Sequence, residues 1–552
     1  MSAIPLRHPG RWLAATALAL VLAVGLYTGF RIWGAIHKLD PNANLGSIVG
    51  LAGNQDNQPG TLAYKIKHGQ RVNVLLLGYG GAGHDGAYLT DSIMVVSIQG
   101  ASRVALTSIP RDTYVNLSRA FLGNVTYENK INVAYEIPLI NGALGKVKPE
   151  YDQGFGGAGR LASQVIGDYL GQPIDYWAGV DFTAFKKVVD AVGGVDVVNP
   201  YTLDDDQYPL GETNGYMHIH FNQGPLHLNG DQALIYVRER HADNDFGRSR
   251  RQQQVLAAVK EKALSVGAIP KLFTLLDALQ DNVKTNMAIG DLRTFTQFAN
   301  KIDTTGAHHV SIDNTNFQYD TYSDAGAYIL LPRDHTLASL HQFVANELPD
   351  PAVLRENAKL QFGSSLAQAS QGQSLAAISS ALMRMAGFAV TAPDTVSPAP
   401  ATTTIHDYSG GRDAKTLAWL AAYYNGTVVT ETPRPAASAA PSPPPSPSPS
   451  TGAIPGGAPP TAEGPADIVV VLGTDYSNRF NDAGAPRPVY VPPPPTARPR
   501  PTPSAAAPSP SPSQETAPSP SPTPLPLPSP TCSVIHRCPT PSPRATPSPT
   551  PT

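Results

Sequence analysis

Cysteine is almost missing from this 552-residue chain: there are two, Cys532 and Cys538, both close to the C-terminal end. That excludes a zinc ribbon or a buried redox pair in the main body. Charge is scarce as well. Only 15% of residues are charged and the formal net charge is -3, which argues against a nucleic-acid partner, since such a binder shows a basic footprint across its domain. No GxxxxGKS/T phosphate loop and no GxSxG nucleophile elbow occurs, so P-loop nucleotide chemistry and elbow-type hydrolysis lack their signatures. "GYGGAGHDG" (residues 78–86) follows an apolar run, as a dinucleotide loop would. No helical pattern comes after it, and it reads as a turn beside a site.

Long apolar runs are also rare, with one exception. Residues 12–30, "WLAATALALVLAVGLYTGF", hold no charge and follow Arg7 and Arg11. As a helix the run would extend about 28 Å, close to the roughly 30 Å hydrocarbon core of a bilayer. No small-x-small cleavage site precedes Arg31, which disfavours a removed signal peptide. The expectation is a short cytoplasmic segment (1–11), a single-pass anchor in the cell membrane (12–30), and a bulk that lies outside the cytoplasm. Residues 31–70 are largely polar and read as a stalk.

From residue 71 the pattern changes. "RVNVLLLG", "DSIMVVSI" and "RVALTSI" are short runs rich in Val, Ile and Leu, bounded by Gly or Pro, and read as buried strands. "GAGRLASQVIGDYLG" has helical spacing and stops at Gly171. "DFTAFKKVVDAVGG" has Asp181 as N-cap and ends at Gly193-Gly194. Strands alternating with helices predict an α/β fold over 71–348, an α-β-α sandwich with a central sheet. A smaller α/β unit is expected over 353–477, interrupted by a Pro/Ser/Ala tract at 432–465, with "ADIVVVLG" returning to its sheet. Residues 482–552 are rich in Pro, Ser and Thr and read as a disordered tail. Outside the cytoplasm its two cysteines are expected to pair.

The chemistry concentrates in "RERHADNDFGRSRRQQQ" (238–254), where five arginines fall within 14 positions. A solvated helix face is the plain alternative, but apolar runs flank the segment on both sides. Asp91 opens one strand, Arg111 and Asp112 follow another, and Lys130 precedes the apolar "INVAY". Ligands sit at strand ends in open α/β sheets. Together with Arg238, Arg240, Arg248, Arg251 and Gln252 these residues predict a basic pocket containing carboxylates. Arginine's planar fork suits phosphate oxygens, and a nearby carboxylate can hold Mg2+ against them.

"TDSIMVVSI", "TSIPRDTYV", "NKINVAYE", "IDYWAGVDFTAFKKVVDAVGGVDV", "LNGDQALIYVRER" and "DFGRSRRQQQVL" closely resemble, in order, the LytR-CpsA-Psr family of bacterial envelope proteins. "TTTIHDYSGG" and "ADIVVVLG" resemble the LytR C-terminal domain. The resemblance implies a phosphotransferase that moves a glycopolymer from a polyprenyl-pyrophosphate lipid to peptidoglycan. It implies Mg2+ as cofactor, held by Asp91, and Arg111, Lys130, Arg238, Arg240, Arg248, Arg251 and Gln252 as phosphate-contacting positions. The family often carries another aspartate just after the first strand, where this chain has a longer loop. Asp85 is the candidate for that role, with His84 or water as alternatives. A pyrophosphatase acting on the lipid carrier and a non-catalytic polyprenyl-phosphate binder are the rival functions. A lipid substrate further predicts a deep apolar recess beside Arg238 and Arg240.

Overall fold

The computed structural model describes residues 59, 61–100, 103–140, 145–209, 215–239, 245–265, 282–288, 291, 294–295, 307–334, 336–367, 374–434 and 462–480. Helix α1 (Leu62–Lys67) comes first, with Thr61 Oγ1 accepting from the Tyr64 amide as N-cap. It falls in the stretch read as a stalk, yet Leu62 and Ile66 are buried with Val72 and Val74 of β1 (Arg71–Tyr79). Then come β2 (Thr90–Gln99), β3 (Arg103–Ser108), β4 (Tyr114–Asn116), β5 (Glu128–Lys130), α2 (Gly154–Leu170), β6 (Tyr176–Asp181) and α3 (Phe182–Ala191). The region around the site continues with β7 (Val195–Asn199), β8 (Leu203–Pro209), β9 (Tyr216–Phe221), β10 (Gly224–Leu228), α4 (Gly230–Arg238) and α5 (Asp245–Ser265). β11 (Val283–Thr285), β12 (His308–Ser311), β13 (Gln318–Tyr322), β14 (Tyr328–Pro332), α6 (Ala338–Asn346) and α7 (Pro351–Leu354) close this part.

The central sheet has the order β11-β6-β1-β2-β3-β12. β6 runs parallel to β1 and β12 parallel to β3, while β1, β2 and β3 form an antiparallel meander. Leu75 and Leu77 of β1 face α2, in a core with Leu161, Ala162 and Val165. Met94, Ile98, Val104 and Leu106 project from the other face towards Leu256 of α5. Helices cover both faces, which is the expected sandwich and explains why these strands read as continuous apolar runs. Gly159 lets α2 approach closely: a Cβ there would lie 1.9 Å from the Trp177 ring. Gly171 ends that helix in the left-handed conformation, φ +67°, where glycine carries no Cβ penalty.

The smaller unit holds β15 (Lys359–Gly363), α8 (Leu375–Met385), β16 (Ala389–Val390), β17 (Thr404–Asp407), α9 (Ala414–Tyr424), β18 (Thr427–Thr430), β19 (Ile468–Val471) and α10 (Thr474–Phe480). Its sheet order is β16-β15-β19-β17-β18, so β19 is an inner strand, parallel to β15 and antiparallel to β17. Ile468 and Val470 are fully buried, while Val469 and Val471 are partly exposed. Burying those two side chains is worth about 1.5–3 kcal/mol each. That exceeds the roughly 1.5 kcal/mol of extra closure entropy for a long rather than a short connection, so the strand returns across the Pro-rich tract. The two sheets share one apolar core, running from Leu75 through Phe343 and Val353 to Leu472.

The expectation of a single-pass membrane protein is corrected. Among the described residues no helix is long and apolar enough to cross a membrane; the longest, α5, carries Arg248, Arg250, Arg251, Lys260 and Lys262. The run at 12–30 lies outside the described residues, as do the tail from 482 and its two cysteines.

Candidate functional site

Asp91 owes its position to a break in the sheet. Gly78 of β1 pairs with Ser92 and Tyr79 with Thr90, which leaves Asp91 as the extra residue of a β-bulge. A bulge re-aims a side chain that strict alternation would send to the opposite face. Asp91 therefore shares a cleft of about 150 Å³ with Arg111, Arg238, Glu239, Arg248 and Gln252. Arg111 follows the end of β3 at Pro110 and forms an ion pair with Asp91 through Nη1. Its Nε lies 3.5 Å from Asp112, and Asp112 also pairs with Lys130. Asp91, Arg111, Asp112 and Lys130 thus form one alternating chain of charges, although Lys130 does not line the cleft.

Arg238 is the last residue of α4. Its guanidinium carbon sits 4.5 Å from the Phe182 ring centroid and 5.8 Å from that of Tyr208. Stacking between aromatic faces holds a planar cation in place. Burial raises the Tyr208 pKa, and Arg238 partly offsets this, so the phenol is neutral at pH 7. Arg248 and Gln252 are four apart on α5 and so share one face. Gln252 accepts from Ser92 Oγ at 3.0 Å and donates to the Val237 carbonyl at 3.3 Å.

Arg251 takes another direction. It is 3% exposed, and its Nε donates to the Tyr236 carbonyl at 2.7 Å while Nη2 donates to the Glu239 carbonyl. These carbonyls lie at the C-terminal end of α4, where the last turn of a helix has no intrahelical donors. Arg251 caps that helix from within and so positions Arg238. Gln253 and Gln254 diverge from Gln252 in the same way. Gln253 Nε2 reaches the Leu106 carbonyl and Ser108 Oγ on β3, and Gln254 Nε2 the Val198 carbonyl beyond β7's centre. The three glutamines pin α5 to three different elements.

Behind the cleft opens an apolar cavity of about 280 Å³. Its walls include Leu76 and Met94 from the sheet, Phe185 and Val189 from α3, and Val255 and Val259 from α5. Asp91, Val237, Arg238 and Gln252 line both spaces. At the mouth the cross-strand pair is Gly78 and Ser92, and a Cβ on Gly78 would meet Ser92 Cβ at 3.1 Å. Small residues there leave room. This is the recess expected beside Arg238.

The cleft's carboxylates, Asp91 and Glu239, offer oxygen donors with no imidazole or thiol among the lining residues, a set suited to Mg2+ rather than zinc. Asp181 lines the cavity, but its oxygens accept from the Ala184 amide at 2.7 Å and from Asn282 Nδ2 at 2.8 Å. Asp85 is exposed on the 80–86 loop and lines neither space. His84, its neighbour, meets Phe182 edge-on with centroids 5.4 Å apart. Arg240 lies outside the described residues. Tyr208 and Glu239 went unnoticed in the sequence. Glu239 was legible beside Arg238, whereas Tyr208 lies in "LDDDQYP", a stretch too polar to read as a strand.

A family model, the LytR_cpsA_psr family, matches residues 50–342. The polyisoprenyl-teichoic acid–peptidoglycan teichoic acid transferase TagU of Bacillus anthracis is 31% identical over 279 residues, covering 50% of this chain and 78% of TagU. The Bacillus subtilis transferase of the same designation, TagV, is 32% identical over 279 residues, covering 50% of this chain and 62% of TagV. The crystal structure of B. subtilis TagV matches at 28% identity with a TM-score of 0.37, over 50% of this chain and 96% of that one.

Proposed function

The chain belongs to the LytR_cpsA_psr family, and from that premise we propose that it transfers a glycopolymer from a polyprenyl-pyrophosphate carrier to peptidoglycan. The observation that carries this is the junction of the charged cleft with the apolar cavity through Asp91, Val237, Arg238 and Gln252. One ligand with a multiply charged head and a long hydrocarbon tail fits that junction. The names of TagU and TagV supply the donor and acceptor classes: a polyisoprenyl-linked polymer and peptidoglycan.

In this mechanism Arg111, Arg238 and Arg248 hold the pyrophosphate oxygens, and Gln252 donates a hydrogen bond. Arg111 exchanges Asp91 for phosphate, and Lys130 keeps Asp112 neutralised beside it. Arg240 and Arg251 complete the basic set, Arg251 through its hold on the end of α4. A peptidoglycan hydroxyl attacks the glycan-side phosphorus. The bond from that phosphorus to the bridging oxygen breaks, and the electron pair leaves with polyprenyl phosphate. The hydroxyl's proton passes to a cleft carboxylate, Asp91 or Glu239. Mg2+ at Asp91 would neutralise charge on the phosphate oxygens; Asp85 does not line this space. Residues 353–477 are proposed as a LytR C-terminal-like domain on the strength of "TTTIHDYSGG" and "ADIVVVLG".

Radiolabelled glycan on a polyprenyl-pyrophosphate carrier, incubated with peptidoglycan and Mg2+, tests the proposal. Label should appear in the peptidoglycan fraction, with polyprenyl phosphate released. Release of label into water without transfer would make the protein a pyrophosphatase, and binding without turnover would make it a carrier-binding regulator.

A further inference from the structure

The β8–β9 hairpin carries a second cluster, on the side away from its packed face. Leu203, Tyr208, Ile219 and Phe221 are buried in a core with residues of α3, α4 and α5. Strand alternation then sends Asp204, His218 and His220 to the opposite face. Asp204 lies directly across from His220, and His218 is two residues along the same strand. A register shift between Asp205 and Tyr208 brings Asp206 Oδ1 to 3.9 Å from His218 Nε2. One ligand atom each from Asp204, His218 and His220 fall within 4.8 Å of one another.

The hydrogen bonds orient these groups. Asp204 Oδ1 is 2.6 Å from His218 Nε2, and Oδ2 is 3.0 Å from His220 Nδ1. The other ring nitrogen of His220, Nε2, lies 3.0 Å from Asn222 Oδ1. When the neutral ring donates Nε2–H to Asn222, the Nδ1 lone pair points at the Asp204 carboxylate. A proton or a metal ion can fill the space between them, and a polar partner on the far nitrogen is how metal-bound imidazoles are held.

We propose that Asp204, His218 and His220 bind a divalent transition-metal ion of the zinc class, which ties β8 to β9. Two imidazoles and one carboxylate favour such an ion over Mg2+. Zinc bonds of about 2.0–2.2 Å put tetrahedral ligands roughly 3.3 Å apart, and small side-chain rotations open the present contacts to that separation. Asp206 or water fills the fourth position. Tyr208 and Pro209 of the same hairpin line the phosphate cleft, so the ion braces the cleft wall from outside and takes no part in transfer.

The test is Zn2+ titration by calorimetry on the full chain. If reduced, Cys532 and Cys538 with His536 would offer rival zinc ligands, so the measurements use a Cys532→Ser/Cys538→Ser background. That chain should bind one equivalent of Zn2+, and adding His218→Ala/His220→Ala should abolish the binding. Asn222→Ala, which keeps all three ligands, should weaken it by about ten- to a hundredfold. No zinc bound by the cysteine-free chain, or undiminished binding after loss of both histidines, would overturn the proposal.

Discussion

Five of the nine residues lining the cleft carry charge, while the cavity behind it is walled mostly by Leu, Val, Phe and Met. Both spaces use α4 and α5, so a single helix supplies Arg248 and Gln252 to one and Val255 and Val259 to the other. A charged site alone would suit any phosphate, and an apolar cavity alone any greasy molecule. Their junction restricts the ligand to one carrying both features. Each region makes separate demands, and each can be broken without the other.

The largest effect is expected at the charged side. Asp91→Ala should lower transfer by about 10²–10³-fold, the scale seen when one group that stabilises transition-state charge is removed. The fold should persist, since Asp91 sits on a bulge and contributes little to the core. Arg238→Lys should also be severely impaired, because an ammonium cannot replace the planar fork stacked between Phe182 and Tyr208. Steady-state transfer rates check both, and near-wild-type rates would remove these residues from the mechanism.

Next in size is Arg251→Ala. Its effect should fall on stability, since it strips donors from the buried Tyr236 and Glu239 carbonyls. A loss of about 2 kcal/mol is expected, read as a shifted urea midpoint. A drop in activity at unchanged stability would instead give Arg251 a direct role at the phosphate.

Val255→Trp probes the apolar side. The indole would occupy part of the cavity and should cost about tenfold in affinity for every two methylenes it excludes. Short-chain polyprenyl phosphates should bind as before. Equal losses for short and long chains would show that the substitution had disturbed the cleft as well.

The remaining effect concerns pH. Burial, helped by neighbouring His308, lowers the His309 pKa to about 4, while the unfolded chain titrates near 6.5. Between those values the unfolded state binds a proton that the folded state does not. Stability should therefore be full above about pH 6.5 and fall as the pH drops towards 4. His309 Nδ1 donates to Gln253 Oε1 at 2.8 Å, so the added proton goes to Nε2 and the loss of stability is the cost of a charged ring buried between β12 and α5. His309→Gln should flatten the melting temperature across that window, and an unchanged slope would assign the acid sensitivity elsewhere.

Much of this arrangement was legible from residues alone. Apolar runs located β1, β2 and β3, and Gly171 and Asp181 marked the helix boundaries they were read to mark. Asp91, Arg111, Arg238, Arg248 and Gln252 were grouped from chemistry and strand-end position, and they meet in one cleft. Direction was harder to read. Arg248 and Arg251 look alike in a string, yet three residues of helical rotation turn one to the cleft and the other to the end of α4. The bulge at Asp91 depends on a register that no single strand encodes. The β8–β9 hairpin was missed because "LDDDQYP" is polar in sequence, although Leu203 and Tyr208 are both buried.

The central claim is that one ligand occupies cleft and cavity together. Its most direct test is the affinity of the wild-type protein for polyprenyl phosphates of increasing chain length at constant headgroup. Affinity should climb with each added isoprene unit until the cavity is filled and then level off, and Arg238→Lys should lower it by a similar factor at every length. Affinity that does not depend on chain length, or a headgroup variant that matters only for short chains, would contradict it.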